Sequence, residues 1–138
     1  MEQFSDYGHA IMSLALFGLI GLLLSPISAA RKSADGVTAG DMPAADYSNA
    51  SYRLSRAYMN AMEMSGMFAA VTVAAILAGA SPFWVNLLAS LFLISRVVVA
   101  FVHIRGIGKE NLGLRTMIYT FGWACCVFLG LMAVVVVF

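Results

Sequence analysis

Residues 57–78 read AYMNAMEMSGMFAAVTVAAILA, an apolar run interrupted by one charged side chain, Glu63. A helix needs about 20 mostly apolar residues to cross a hydrocarbon core of roughly 30 Å, and this stretch supplies them. The pattern repeats on either side. Residues 10–30, 84–104 and 116–138 are each long and apolar enough for a further span. The reading is an all-α integral membrane protein, a four-helix transmembrane bundle occupying 1–138 as a single domain. Two connectors are polar. Residues 31–53 are rich in Ser, Ala, Asp and Gly and read as an exposed loop. Residues 105–114 carry Gly106, Gly108 and Gly113 among several charges. Between spans two and three, Gly79-Ala80-Ser81-Pro82 is a tight uncharged turn.

Composition narrows the function classes. Of 138 residues, 62% are hydrophobic and 11% charged, against about half and a quarter in soluble domains. A disordered chain, a nucleic-acid-binding domain and an ordinary soluble globule are excluded. The net charge of +1 creates no global field for a polyanion, so no nucleic-acid partner is expected. Cys125 and Cys126 are neighbours, about 100° apart on a helix, and read as small buried side chains. His9 and His103 lie far apart, so no metal site is expected. A phosphate-cradling loop and a Ser/His/Asp set are also missing. Ser28-Ala29-Ala30 faintly resembles a signal cleavage site. The segment before it holds Glu2 and Asp6 without Lys or Arg, and its apolar run is long, so a retained span is the expectation.

Basic residues in short loops set orientation. Arg31, Lys32, Arg53 and Arg56 flank the first loop, and Arg105, Lys109 and Arg115 the third. The termini and the second turn have none. Both long loops are therefore expected in the cytoplasm and both termini outside it. Small residues at four-residue spacing, Ala70, Ala74 and Ala78 on helix two and Gly122, Cys126 and Gly130 on helix four, predict close helix contacts within or between subunits.

The chemistry lies in polar groups within the spans. Arg56, Asn60 and Glu63 follow at i, i+4 and i+7 and fall on one stripe of helix two. Arg96 and His103 share a face of helix three, and Arg115, Thr116 and Tyr119 open helix four. At 1.5 Å per residue, Glu63 and Arg96 both lie roughly 12 Å from the cytoplasmic surface. An unpaired charge at helix centre costs about 2.5–3.5 kcal/mol, so a Glu63–Arg96 ion pair is expected. Two readings of the set stand. It is an architectural network that fixes helix register, or a cationic crevice in which Arg56, Arg96 and Arg115 converge on an anionic ligand. His103 taken alone reads as an interfacial polar residue.

Arg53-x-x-Arg56-Ala57-x-x-Asn60-x-x-Glu63, with Arg96 late in helix three and Arg115-Thr116-x-x-Tyr119 opening helix four, resembles the signature of the MAPEG family, the membrane-associated proteins of eicosanoid and glutathione metabolism. The resemblance covers nearly the whole chain. It implies a homotrimer with glutathione bound between neighbouring subunits near the cytoplasmic surface. It implies that Arg56, Asn60, Glu63, Arg96 and His103 line the glutathione site, with Arg31 or Lys32 contributed by the adjacent subunit. It implies that Arg115 stabilises the thiolate, with Thr116 or Tyr119 donating a hydrogen bond. Met59, Tyr58, Met67, Val99 and His103 depart from residues common in the family. They point away from a specialised eicosanoid synthase and toward a divergent bacterial member in the inner membrane. The implied activity is a glutathione transferase or peroxidase acting on lipophilic electrophiles delivered from membrane lipid. The alternative is a catalytically inactive relative serving as a structural or accessory subunit of a larger membrane assembly. A small transporter is disfavoured, since the chain shows no inverted repeat.

Overall fold

The computed structural model describes residues 2–108 and 113–138. A short 3-10 segment, Glu2–Tyr7, leads into four helices: α1 (Gly8–Ala34), α2 (Ala50–Leu77), α3 (Pro82–Arg105) and α4 (Leu114–Val137). All four are long and apolar enough to cross a membrane. In hydrocarbon, backbone groups must be satisfied within the segment, and a continuous helix does this. The protein is an integral, multi-pass membrane protein whose described residues contain no strand.

Two helices run further than hydropathy alone indicates. α1 continues through Arg31 and Lys32 to Ala34, and α2 begins at Ala50 rather than near 57. The polar ends of both helices project beyond the apolar stretch, where helix geometry no longer depends on lipid. Asn49 caps α2 by accepting a bond from the Ser51 amide at 2.7 Å, which satisfies an otherwise orphaned donor. α3 starts with Pro82 in its first turn and stops at Gly106, whose φ of 66° is the left-handed conformation of a helix terminator. Lys109 lies outside the described residues.

α2 and α3 form the central pair, and α1 and α4 each pack against both. Three buried rings hold α1, α2 and α3 together. Phe68 and Phe92 stack with centroids 3.9 Å apart, and Phe17 meets each edge-on, at 5.7 and 5.1 Å. At one end, Tyr7 donates its hydroxyl to the Ala80 carbonyl, and Asn86 bridges the Asp6 carbonyl and the Ala10 amide. The Asn86 side chain thus caps α1, whose own N-terminal residue supplies no side-chain cap. The connector 35–49 and residues 106–108 lie at the opposite end, where Arg53 donates to the Ile104 carbonyl. The outward faces carry large apolar side chains, among them Leu22, Leu77, Met117 and Val135, suited to lipid contact.

The two small-residue stripes differ. Gly122 and Cys126 are buried within the chain, and a Cβ on Gly130 would come within 3.3 Å of Val71. Ala70 and Ala74 of α2 lie on the outer surface. Gly122 is the tightest position, because a Cβ there would collide with Ser95 Oγ and the Arg96 guanidinium. Overpacking of this kind costs about 1–3 kcal/mol. Gly122→Ala is expected to lower the melting temperature in detergent by several degrees. Gly66→Ala, inside α2 where a Cβ meets nothing within 4 Å, is expected not to lower it.

Candidate functional site

A polar cleft of about 380 Å³ opens at the connector end, lined by Tyr47, Arg56, Asn60, Glu63, His103, Arg115, Thr116 and Tyr119. The i, i+4, i+7 stripe of α2 forms one wall. His103 enters from the last turn of α3. Arg115, Thr116 and Tyr119 come from the first two turns of α4, where i and i+4 share a face. Seven of the residues singled out from sequence therefore converge.

Arg96 does not join them. It is 3% exposed, and its Nη2 donates to the carbonyls of Tyr119 (2.8 Å) and Ile118 (3.3 Å) on α4. Its guanidinium lies over the rings of Tyr119 (4.7 Å) and Phe92 (5.3 Å). The expected Glu63–Arg96 ion pair does not form. Among the described residues the ion pair within reach is Arg31–Asp35, at 3.5 Å near the end of α1. The two side chains face different neighbours: Glu63 lines the cleft, and Arg96 turns onto α4 where Gly122 leaves room. Tyr119 is common to both, one residue of the cleft wall held by the buried guanidinium behind it. Among the described residues, two arginines face the cleft rather than three, with Glu63 as the carboxylate. Arg31 stands apart from the cleft of its own chain, and the neighbouring Lys32 donates to the Asp41 carbonyl at 3.0 Å.

Tyr47 is a cleft residue that the sequence reading missed. It sits in the connector read as an exposed loop, yet its ring covers the Arg115 guanidinium at 4.0 Å and its hydroxyl meets His103 Nδ1 at 3.4 Å. Arg53 holds it there. Arg53 Nη1 donates to the carbonyls of Tyr47 (2.7 Å) and Ser48 (2.8 Å), while Nε donates to Ile104 (3.2 Å). The Arg53 side chain crosses Gly106 so closely that a Cβ would sit 3.0 Å from it. A turn precedes the strap: Asp46 accepts from the Ser48 hydroxyl and amide, at 2.6 and 2.8 Å. These bonds, the hydroxyl's first, hold the Asp46 carboxyl below its ordinary range. The sequence signal was an aromatic residue just ahead of a Ser48-Asn49 helix cap.

Chemically, the described residues of the cleft offer two guanidinium groups, one carboxylate, an imidazole, an amide and three hydroxyls. That set suits a ligand carrying more negative than positive charge. No group of three or more His, Cys, Asp or Glu side chains gathers among the described residues as a metal ion would require.

The MAPEG family model matches residues 10–135. The chain belongs to the MAPEG family. No curated protein and no solved structure matches it closely enough to narrow that placement. Within this MAPEG protein, the helix-two motif thus divides its labour: Arg56, Asn60 and Glu63 line the cleft, and Arg53 fastens the connector. Charge-assisted bonds contribute about 1.5–3 kcal/mol each when well sheltered, and less at a partly exposed site such as this. Arg53→Gln is expected to raise amide exchange at residues 46–49 at least several-fold and to speed proteolysis in 35–49. Unchanged protection there would show that other contacts hold Tyr47.

Proposed function

We propose that the cleft binds glutathione and that the protein uses its thiol in addition to, or reduction of, lipophilic compounds. The observation that carries this reading is that Arg56, Arg115 and Glu63 line one cleft. Glutathione has two carboxylates, one ammonium and a thiol. Guanidinium groups suit carboxylates and thiolate, and Glu63 suits the ammonium. The volume of about 380 Å³ falls within the ordinary range for small-molecule sites. Family membership supports glutathione-related chemistry of the transferase or peroxidase type.

Arg115 is the residue assigned to the thiolate. A free thiol has a pKa of about 8.5, so only a few per cent is ionised at neutral pH. A guanidinium beside the sulfur favours the charged, nucleophilic form. A downward shift of about two units corresponds to roughly 2.7 kcal/mol. Arg115 is 6% exposed, which shields that interaction from water. Thr116 and Tyr119 supply neutral donors on the same wall, and Asn60 and His103 complete the polar floor. In addition, the thiolate sulfur bonds an electrophilic carbon of a compound entering from lipid, and the electron pair it displaces takes up the thiol's proton or departs with a leaving group. In reduction of a hydroperoxide, the sulfur takes the outer oxygen, the alkoxide is protonated to the alcohol, and a second glutathione converts the sulfenic acid to disulfide and water.

We further infer a homotrimer whose cleft is completed by a neighbouring subunit, with Arg31 as the contributed cation. Glu63 is exposed on a membrane helix, and a carboxylate left in hydrocarbon is costly. Ala70 and Ala74 continue the same outer surface as small residues that permit close helix approach. The connector end is assigned to the cytoplasm because Arg31, Lys32, Arg53, Arg56, Arg105 and Arg115 gather there. An inner-membrane setting in a bacterium accords with the departures from family residues.

Calorimetric titration of the purified protein with glutathione is expected to show saturable binding. Arg115→Ala is expected to lower conjugation of a lipophilic electrophile by about 10- to 100-fold at pH 7, within the two-unit shift above, with the oligomer intact. Unchanged turnover would remove Arg115 from the mechanism. Absence of saturable glutathione binding would favour the alternative reading, a catalytically inactive accessory subunit of a larger membrane assembly.

A further inference from the structure

The hydrogen bonds behind the cleft have a direction that can be read from one atom. Asn60 Nδ2 donates to the Arg56 carbonyl one turn back, at 3.1 Å. A carbonyl oxygen only accepts, so this bond fixes the amide with Nδ2, and not Oδ1, on that side. The same Nδ2 lies 3.2 Å from His103 Nε2. Nδ2 can only donate, so Nε2 accepts. An imidazole that accepts at Nε2 carries its proton on Nδ1. Nδ1 faces the Tyr47 hydroxyl at 3.4 Å, so the imidazole N–H donates and the phenol oxygen accepts. The Tyr47 O–H hydrogen is then not used by His103.

That hydrogen has a destination. Tyr47 lines the cleft, and its ring covers the Arg115 guanidinium at 4.0 Å. The same cleft wall carries the guanidinium groups of Arg56 and Arg115. We propose that Tyr47, from the α1–α2 connector, is a ligand-contacting residue whose hydroxyl donates to the anionic atom paired with Arg115, its polarity set by the relay Asn60 → His103 → Tyr47. This rests on the cleft being an anion site, and it adds a donor from a loop to a site otherwise built from helices. It also explains why a connector residue is tied down by Arg53: a donor held on a strapped loop meets its acceptor without first being ordered. Asn60 and His103 thereby act as positioning residues for Tyr47.

Two measurements test it. The first needs no ligand. Nitrogen-15 NMR of the histidine-labelled full chain in detergent is expected to show His103 as the Nδ1–H tautomer. The Nε2–H tautomer would overturn the proposal, because the phenol would then donate to Nδ1 and have nothing left for a ligand. The second compares the parent protein with Tyr47→Phe, which keeps the ring over Arg115 and removes only the hydroxyl. Glutathione and inorganic sulfate are the probes. The expected result is a 5- to 20-fold weaker affinity in Tyr47→Phe, an upward shift in the pH at which bound glutathione forms its thiolate, and a folded protein whose melting temperature falls by at most a few degrees, from loss of the His103 acceptor. Equal affinities and equal thiolate titration would overturn the proposal. If the parent binds sulfate but not glutathione, the glutathione reading fails alone and Tyr47 is judged on sulfate. If it binds neither, both fail.

Discussion

A guanidinium buried between membrane helices must direct its donors at whatever acceptors the neighbouring helices offer, backbone carbonyls among them. Arg96 does this against α4, bonding the carbonyls of Ile118 and Tyr119. The bond requires α3 and α4 to approach closely, and Gly122 is the residue that lets them. Much of the bundle follows from this contact. It fixes the rotation of α4 against α3, and with it the direction in which Arg115, Thr116 and Tyr119 point. Tyr119 receives Arg96 on one side and faces the cleft on another. The cleft is thus braced by a charge it does not contain.

A second brace works from the connector. Arg53 gathers the carbonyls of Tyr47, Ser48 and Ile104 around one side chain. It joins the loop before α2 to the end of α3 through carbonyl acceptors, with no ion pair to it among the described residues. The result is a site with a helical floor and a loop-borne rim. The rim carries the aromatic ring that covers Arg115, so the connector belongs to the site and is more than a link between spans. Both braces are arginines bonded to backbone, and neither faces the cleft.

The departures from the sequence reading have a common origin. Glu63 and Arg96 were paired on depth, which follows from counting 1.5 Å per residue along each helix. Depth was a sound guide for the seven residues that do line the cleft. It says nothing about azimuth. A side chain at the right height turns toward whichever neighbour packing makes available, and for Arg96 that was the groove beside Gly122. Tyr47 failed to register for a different reason. Its segment is polar, so composition marks it as exposed, and no periodicity links a loop residue to a helix face. Its position depends on a contact with Arg53 across the chain end and on the turn made by Asp46 and Ser48.

The amino-acid sequence alone determined four apolar spans, the gathering of basic residues at one end, and the stripe that places Arg56, Asn60 and Glu63 on one helix face. These are local properties, set by hydropathy and by the helical repeat. Its motifs also carried the family resemblance. Only the tertiary structure decided that Arg96 braces the site from behind, that Arg53 is a strap, and that Tyr47 joins the cleft. Those outcomes rest on how one helix is rotated against the next and on where a polar connector folds back. Both are settled by side-chain volume and hydrogen-bond partners distant in the chain, which a one-dimensional pattern does not encode.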